Sequence, residues 1–480
     1  MKRQVREGGT PRPPVRRLSA SALVLLMLLA PHASAQTPEF TQQHVYHTYA
    51  SLTIDVNAWA DDHPDIVDLV SAGETVLGKD LHVVRISDWS VDTKPDGTAK
   101  EVVYIDGGHH GNEYLGTALA YLTAEHYIEG WAEGDPTVTE VLRTTELHVL
   151  IMLNADGNDI DTRWNIRQVD LNRNYDHHWN EHDETQPGSG PFSEPETAAN
   201  AQYMNEVVPD ADLYVTMHTG VWIMLYPWGI IPDQPVDWEL YHHIREEVHD
   251  GISDIPIQNA NQGLYPNSGT ARDYGYGVMG YPTFTFETDD EQFALGTVEP
   301  VSSRLAEELS VMEYLIENVW YWRARLEVNS LLVTEDSVRL DVTNLGHAST
   351  ANATLRYVDG EDVRWTSPMF AINATNTSSL TFSVDTGILG EGQWDLSYQK
   401  RVIDAAQWVN ESINSTRIMV ADGANGRALA PNAFPLSGSL SVIAVVAVAA
   451  MIRPRHSMIE DHSPSEASHQ CSSHGTENLR

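Results

Sequence analysis

Between residues 44 and 325, short apolar runs alternate with stretches whose apolar residues recur at helical spacing. Leu81-His82-Val83-Val84-Arg85-Ile86, Glu101 to Ile105, Leu147 to Leu153, Asp212 to Met217 and Pro282 to Phe286 read as strands. Gly116 to Tyr127 has helical spacing, and Pro136 to Leu142 reads as a second helix with Asp135 as its N-cap. Ser193-Glu194-Pro195-Glu196 opens a third, running to about Val207, and Asp237 to Val248 and Val301 to Glu327 complete the set. This alternation predicts an α/β domain over residues 42–325. Its central sheet should be mainly parallel or mixed, with helices on both faces. At about Leu326 the period changes. Leu331 to Val333, Val338 to Val342, Ala353 to Tyr357, Leu380 to Val384 and Trp394 to Tyr398 are short strands separated by turn residues. They predict a small antiparallel β-sandwich over residues 326–420, in which no catalytic constellation is visible.

The two ends read differently. Residues 1–35 have the form of a signal peptide: a basic region ending Arg16-Arg17, the apolar run Ala22 to Ala30, and small residues Ala33-Ser34-Ala35 before Gln36. Residues 421–435 resemble a stalk. Residues 436–452 are uncharged and mostly apolar, followed by Arg453 and Arg455, which reads as a membrane anchor at the short edge of the ~17–25 residues a span needs, with a processed sorting tail as the rival reading. Residues 453–480 lack any hydrophobic period. An exported, surface-held protein is the expectation.

Composition narrows the partners. Net charge is −39, and the first 35 residues carry six bases against one acid, so the rest is more acidic still. Nucleic acid is excluded as a partner, because phosphate binding needs clustered bases. Lysine is scarce, with only Lys79, Lys94, Lys100 and Lys400 after the first segment. Many acids with few lysines suit a high-salt setting, where screening suppresses self-repulsion, and equally an ordinary acidic secreted enzyme. The single cysteine, Cys471, permits no intrachain disulfide.

Candidate chemistry gathers where strands end. His110-Gly111-Asn112-Glu113 follows the apolar run Val102 to Ile105, and a His and a Glu three residues apart can aim a nitrogen and a carboxylate at one point. His218 and Glu287 each close another strand-like run. In open α/β sheets, ligands bind beyond the carboxyl ends of the strands. Two histidines, a glutamate and a spare glutamate in such positions describe a zinc hydrolase.

Further motifs occur in a fixed order: Gly107-Gly108-His109-His110-Gly111-Asn112-Glu113, Asn154-Ala155-Asp156-Gly157, Arg163-Trp164-Asn165 and Val169-Asp170-Leu171-Asn172-Arg173-Asn174. Phe192 to Thr197, His218, Leu225-Tyr226-Pro227 and Phe284-Thr285-Phe286-Glu287 follow. In this the chain resembles the zinc carboxypeptidases of the carboxypeptidase A/B superfamily, from about Tyr46 to beyond Glu287. The resemblance implies one zinc ion held by His110, Glu113 and His218, with Asp170 orienting a ligand imidazole. Adjacent His109 has the wrong spacing to Glu113. By the same resemblance Glu287 is the general base that takes a proton from the attacking water, and Arg163 stabilises the oxyanion. Asn172 and Arg173 would bind the terminal carboxylate of a peptide or protein, and Tyr265 would close over it. Taken singly, Arg173 with Asp170 also reads as a structural ion pair.

Arg272 lies at the position that lines the floor of the family's side-chain pocket. Arginine there implies a preference for C-terminal Glu or Asp, because a buried charge needs a partner; a salt bridge to Asp273 is the competing expectation. Several features depart from the digestive enzymes. The segment after Gln36 is too short for their folded inhibitory prosegment, Asn112 replaces an arginine, and Ala155 replaces a proline. His-Gly-Asn-Glu and a β-domain after the catalytic one are features of the regulatory branch. A cell-wall peptide or other amide hydrolase of the same fold, or a catalytically idle surface binding protein, are the rival expectations.

Overall fold

The computed structural model describes residues 46–288, 299–385 and 392–420. All fall within one compact unit, Met1–Pro431. The expected signal peptide, stalk, membrane segment and tail lie outside the described residues. Among the described residues no helix is long and apolar enough to cross a membrane.

An eight-stranded sheet forms the first layer system. Its strands are β1 (Val67–Glu74), β2 (Asp80–Ile86), β3 (Glu101–Gly107), β4 (Thr145–Leu150), β5 (Leu213–Thr219), β6 (Ile223–Tyr226), β7 (Ile257–Asn259) and β8 (Thr283–Thr288). They lie in the order β1-β2-β4-β3-β5-β8-β6-β7. The central four, β4, β3, β5 and β8, are parallel. β1 and β2 run antiparallel on one side, and β6 runs against β8 on the other. The sheet is thus mixed, with a parallel heart.

Side-chain alternation along the strands feeds two cores. Val103, Ile105, Val215, Met217, Phe284 and Phe286 belong to one. That core also takes in helices α1 (Tyr49–Asp62), α2 (Tyr114–Glu133), α3 (Pro136–Thr144), α6 (Trp238–His249) and α9 (Glu299–Glu317). Tyr104 and Tyr214 enter the other core with α5 (Pro195–Glu206) and α8 (Ala271–Gly277). Two short helices, α4 (Ala155–Asp159) and α7 (Ala260–Gly263), complete this half. α3 starts as its sequence dictates. The Asp135 carboxylate accepts from the N–H groups of Thr137 and Val138, and Pro136 occupies the first turn, where no N–H is needed.

One expectation fails. The helix expected over 301–327 ends at Glu317, and Val319–Tyr321 forms a 3-10 turn. The apolar period continues through Val319 and Trp322, but the chain reverses there. Trp322 becomes buried, and its indole N–H donates to the Leu315 carbonyl at 2.8 Å.

Residues 326–420 build two further sheets. One has the order β14 (Thr377–Ser383), β10 (Ser337–Asn344), β9 (Leu326–Val333), β17 (Ile418–Val420). The other has β12 (Asp362–Thr366), β11 (Thr350–Asp359), β15 (Gln393–Gln399) and β16 (Trp408–Ser412), with β13 (Phe370–Ile372) also paired to β11. Leu331, Val338 and Leu340 from the first meet Leu355, Trp394 and Leu396 from the second in a common core, which makes a sandwich. Its pairings are antiparallel except β17 with β9, which is parallel.

Candidate active site

Because β3, β5 and β8 are parallel, their carboxyl ends share one edge. His218 and Glu287 are register partners on β5 and β8. His110 and Glu113 sit in the turn between β3 and α2. The close approach of α2 to β5 needs Gly116, since a Cβ there would fall 2.8 Å from the Met217 carbonyl and 2.9 Å from the His218 backbone.

The His110 Nδ1 lies 2.7 Å from Glu113 Oε1. The His218 Nδ1 lies 3.0 Å from Glu113 Oε2 and 3.2 Å from the His110 Nδ1. All three side chains are buried, and their ligand atoms fall within 4.8 Å of one another. On the far side of His110, Nε2 meets Asp170 Oδ1 at 2.9 Å. That contact places the proton on Nε2 and leaves the Nδ1 lone pair facing Glu113. Two imidazole nitrogens and a carboxylate converging in this way suit zinc. Burial drives the His218 pKa down to about 4, keeping it neutral as a ligand must be. Burial opposes ionisation of Glu113, but His110 and His218 hold it well below the usual carboxylate range. His109 is buried elsewhere, with Nε2 2.8 Å from the Tyr175 hydroxyl, and takes no place among these atoms.

Around this cluster lies a cleft of about 260 Å³. His110, Glu113, Arg163, Asn172, Arg173, Tyr265, Arg272 and Glu287 all line it. The Glu287 side chain is partly open to the cleft but poorly hydrated, and that together with the Glu113 charge pushes its carboxyl up to about 8. A dication beside it would draw that value back down. Arg163 is about a third exposed. It donates from Nη1 to Glu113 Oε1 at 2.9 Å and from Nε to Asp170 Oδ2 at 3.0 Å. Asp170 therefore hydrogen-bonds to His110 and Arg163, while Arg173 helps to hold its charge from a distance.

Arg173 donates from Nε to Glu184 Oε2 at 2.9 Å and from Nη2 to the Tyr265 hydroxyl at 3.1 Å. Glu184 also accepts from the Ser268 N–H at 2.7 Å, so it ties Arg173 to the loop that carries Tyr265. Asn172 accepts from the Ala271 N–H through Oδ1, while its Nδ2 lies 3.2 Å from His218 Nε2. Arg272 is 3 % exposed. Its Nε pairs with Asp273 Oδ1 at 2.9 Å, the salt bridge weighed from the sequence. Among the described residues its Nη1 and Nη2 hydrogen-bond to neutral acceptors, Thr285 Oγ1 at 3.4 Å and Asn267 Oδ1 at 2.9 Å. Sequence reasoning missed Glu184, Asn267 and Thr285. Glu184 stands in a His- and acid-rich stretch that reads as solvated loop, and only a buried partner for Arg173 could have singled it out.

The sequence model of the zinc carboxypeptidase family matches residues 54–305. The chain belongs to that family. This zinc carboxypeptidase is similar to carboxypeptidase B of Astacus astacus, with 23% identity over 277 residues covering 51% of this chain and 86% of that protein. It is also similar to human carboxypeptidase O, with 23% identity over 311 residues covering 58% of this chain and 81% of that protein. Among solved structures, thrombin-activatable fibrinolysis inhibitor superposes with a TM-score of 0.52 at 21% identity, covering 62% of this chain and 82% of that one. That likeness concerns the fold. The zinc carboxypeptidase is a metallocarboxypeptidase using one zinc ion, and its His110–Glu113–His218 cluster is compatible with holding it.

Proposed function

We propose that this enzyme releases single C-terminal residues from peptides or proteins, acidic ones best, with His110, Glu113 and His218 holding the zinc. A zinc ion held at this site would supply Lewis acidity, polarising a scissile carbonyl and bringing the pKa of water down towards ~7. Glu287, across the cleft, takes a proton from the attacking water and later delivers it to the departing amine. Arg163 keeps its charge beside the carbonyl as negative charge develops there. As a zinc ligand His218 would offer Nδ1, the nitrogen beside Glu113, and would carry its proton on Nε2, 3.3 Å from Thr216 Oγ1. The Asn172 amide then keeps its own protons for an acceptor in the cleft. Asn172 and Arg173 receive the terminal carboxylate, since a guanidinium can donate two parallel bonds to it. Tyr265, 45 % exposed and already on Arg173, closes over that end.

The observation that carries this reading is the presence of Arg173 and Arg272 in the same small cleft as His110, Glu113 and Glu287. A volume of about 260 Å³ is at the lower end for ligand sites and suits one terminal residue. Arg272 supports the acidic preference, because among the described residues its two Nη groups hydrogen-bond to neutral acceptors and not to a carboxylate. Export through residues 1–35 and anchoring through 436–452 belong to the same proposal and rest on sequence alone. The test is hydrolysis of blocked dipeptides ending in Glu or Phe, each as free acid and as amide. Release from the acids only, with Glu ahead of Phe, is expected; equal turnover of the amides would refute the carboxylate-binding role.

A further inference from the structure

Among the described residues the sandwich contributes no lining to the cleft around His110 and Glu113, yet one of its loops is built into the catalytic half. Residues 400–407 connect β15 to β16. Ile403 and Ala406 belong to the main core of the catalytic half. Lys400 donates to Asp212 Oδ1 at 3.0 Å, and the Gln407 amide donates to the Pro209 carbonyl at 3.3 Å. Gly280, in the turn between α8 and β8, has φ +77°, and a Cβ there would fall 2.5 Å from the Ala405 carbonyl. The loop therefore lies directly on the turn that joins the two elements carrying Arg272 and Glu287.

Arg401 goes deepest. Its side chain is 1 % exposed. It donates from Nη1 to Asp237 Oδ2 at 2.8 Å and from Nη2 to the Gly280 carbonyl. Its guanidinium carbon sits 5.4 Å from the centre of the Tyr276 ring. Tyr276 completes the triangle by donating its hydroxyl proton to Asp237 Oδ1 at 2.6 Å. Both Asp237 and Tyr276 are buried.

Tyr276 stands one helical turn after Arg272 on α8, and Trp228 meets its ring edge-on at 4.7 Å. The next residue, Gly229, donates its N–H to Asp273 at 2.9 Å and accepts from the Asn267 N–H at 3.1 Å. Asp273 and Asn267 are the two strongest partners of the Arg272 guanidinium. Tyr276 thus touches the pocket floor by two routes, along α8 and through Trp228 and Gly229. Arg401 and Asp237 set where Tyr276 sits.

We infer that Arg401 of the β-sandwich is a positioning residue for the side-chain pocket, acting through Asp237 and Tyr276 on the helix that holds Arg272. The inference rests on the reading of Arg272 as the pocket floor. Breaking a buried ion pair leaves the other charge unsatisfied, so removing Arg401 forces Asp237 to find water or move. Movement of Tyr276 would carry α8 with it. Geometry displaced by about 1 Å costs up to ~10²-fold, and a displacement two contacts away from the substrate should cost roughly tenfold.

The test uses the full zinc-loaded enzyme and three variants: Arg401→Met, Arg401→Lys and Tyr276→Phe. Kinetics are read on blocked dipeptides ending in Glu and in Phe, with zinc content measured alongside. For Arg401→Met, KM for the preferred substrate should rise roughly tenfold while kcat stays within about threefold, and the Glu-to-Phe ratio of kcat/KM should move. Arg401→Lys should lie between Met and wild type, because it keeps the charge near Asp237. Tyr276→Phe, which loses only the hydroxyl bond, should shift KM in the same direction by a smaller factor. A lowered Tm with wild-type KM and an unmoved ratio in Arg401→Met would overturn the inference. If Arg401→Met does not fold, wild-type KM and ratio in both other variants overturn it. The wild-type ratio alone tests the acidic preference, and the change in that ratio tests the strut.

Discussion

Replacing Arg272 by Met should remove the proposed preference for acidic C-terminal residues. In the folded enzyme Arg272 Nε is committed to Asp273, while among the described residues Nη1 and Nη2 bond to Thr285 and Asn267. A substrate carboxylate would exchange those neutral acceptors for a charged one. Hydrogen bonds to charged groups contribute about 1.5–3 kcal/mol each. The lost neutral bonds, and the Asp273 charge behind the guanidinium, offset part of two such bonds. A net discrimination of about 2–3 kcal/mol remains, and at 1.36 kcal/mol per decade that is roughly 30- to 150-fold. Asp273 should tolerate the change, because the N–H groups of Gly229 and Ile230 still donate to it at 2.9 and 3.1 Å. The assay is kcat/KM for blocked dipeptides ending in Glu and Phe, at low ionic strength to limit screening. Turnover of the Glu substrate should fall by that factor, and that of the Phe substrate should hold or rise. A Glu-to-Phe ratio within about threefold of wild type would refute the reasoning, since it leaves less than ~0.7 kcal/mol for the guanidinium.

Three other outcomes are expected. Glu287→Gln should lower kcat by about 10²–10⁴-fold while zinc content is unchanged, and an active, zinc-loaded variant would remove Glu287 from proton transfer. Asp170→Asn should weaken zinc binding by about 10–100-fold in a chelator competition, because Asp170 fixes the His110 ring through Nε2; equal affinity would count against that role. Burial pushes the Asp106 carboxyl up to about 6, even though Tyr214 and Asn200 donate to it. Its folded pKa exceeds its unfolded one, so the native state binds more protons between the two. Stability should fall by about 3 kcal/mol as pH rises from ~4 to above 6. Asp106→Asn should flatten that slope in urea unfolding, and an unaltered slope would mean that another group sets it.

The legibility of the chain followed the range of the interactions involved. His110 and Glu113 announce themselves because both ligands lie within four consecutive residues at the end of an apolar strand. His218 and Glu287 follow for the same reason, each closing a strand that alternates into two cores. The parallel heart of the sheet was visible because fully buried strands are nearly continuous apolar runs. The short strands β6 and β7 and the helix α8 were not, being three to seven residues long with no room for a period. The end of α9 is hidden in the sequence because Val319 and Trp322 continue its apolar spacing through the 3-10 turn. Long-range partners were invisible in principle: Arg401 and Asp237 are 164 residues apart, and nothing near either one names the other. Glu184 is only 11 residues from Arg173, but its stretch looks like solvated loop until folding buries it. The pairing of Arg272 with Asp273 was foreseeable from adjacency. That its Nη groups stay turned to neutral acceptors was not.

The most direct measurement is zinc content and turnover of the purified enzyme, titrated with a chelator and then with zinc, alongside His218→Ala. The account predicts one zinc per chain, activity that falls in step with its removal and returns with its restoration, and a His218→Ala protein that folds but retains little metal. Full turnover from metal-free protein, or stoichiometric zinc retained by His218→Ala, would contradict it.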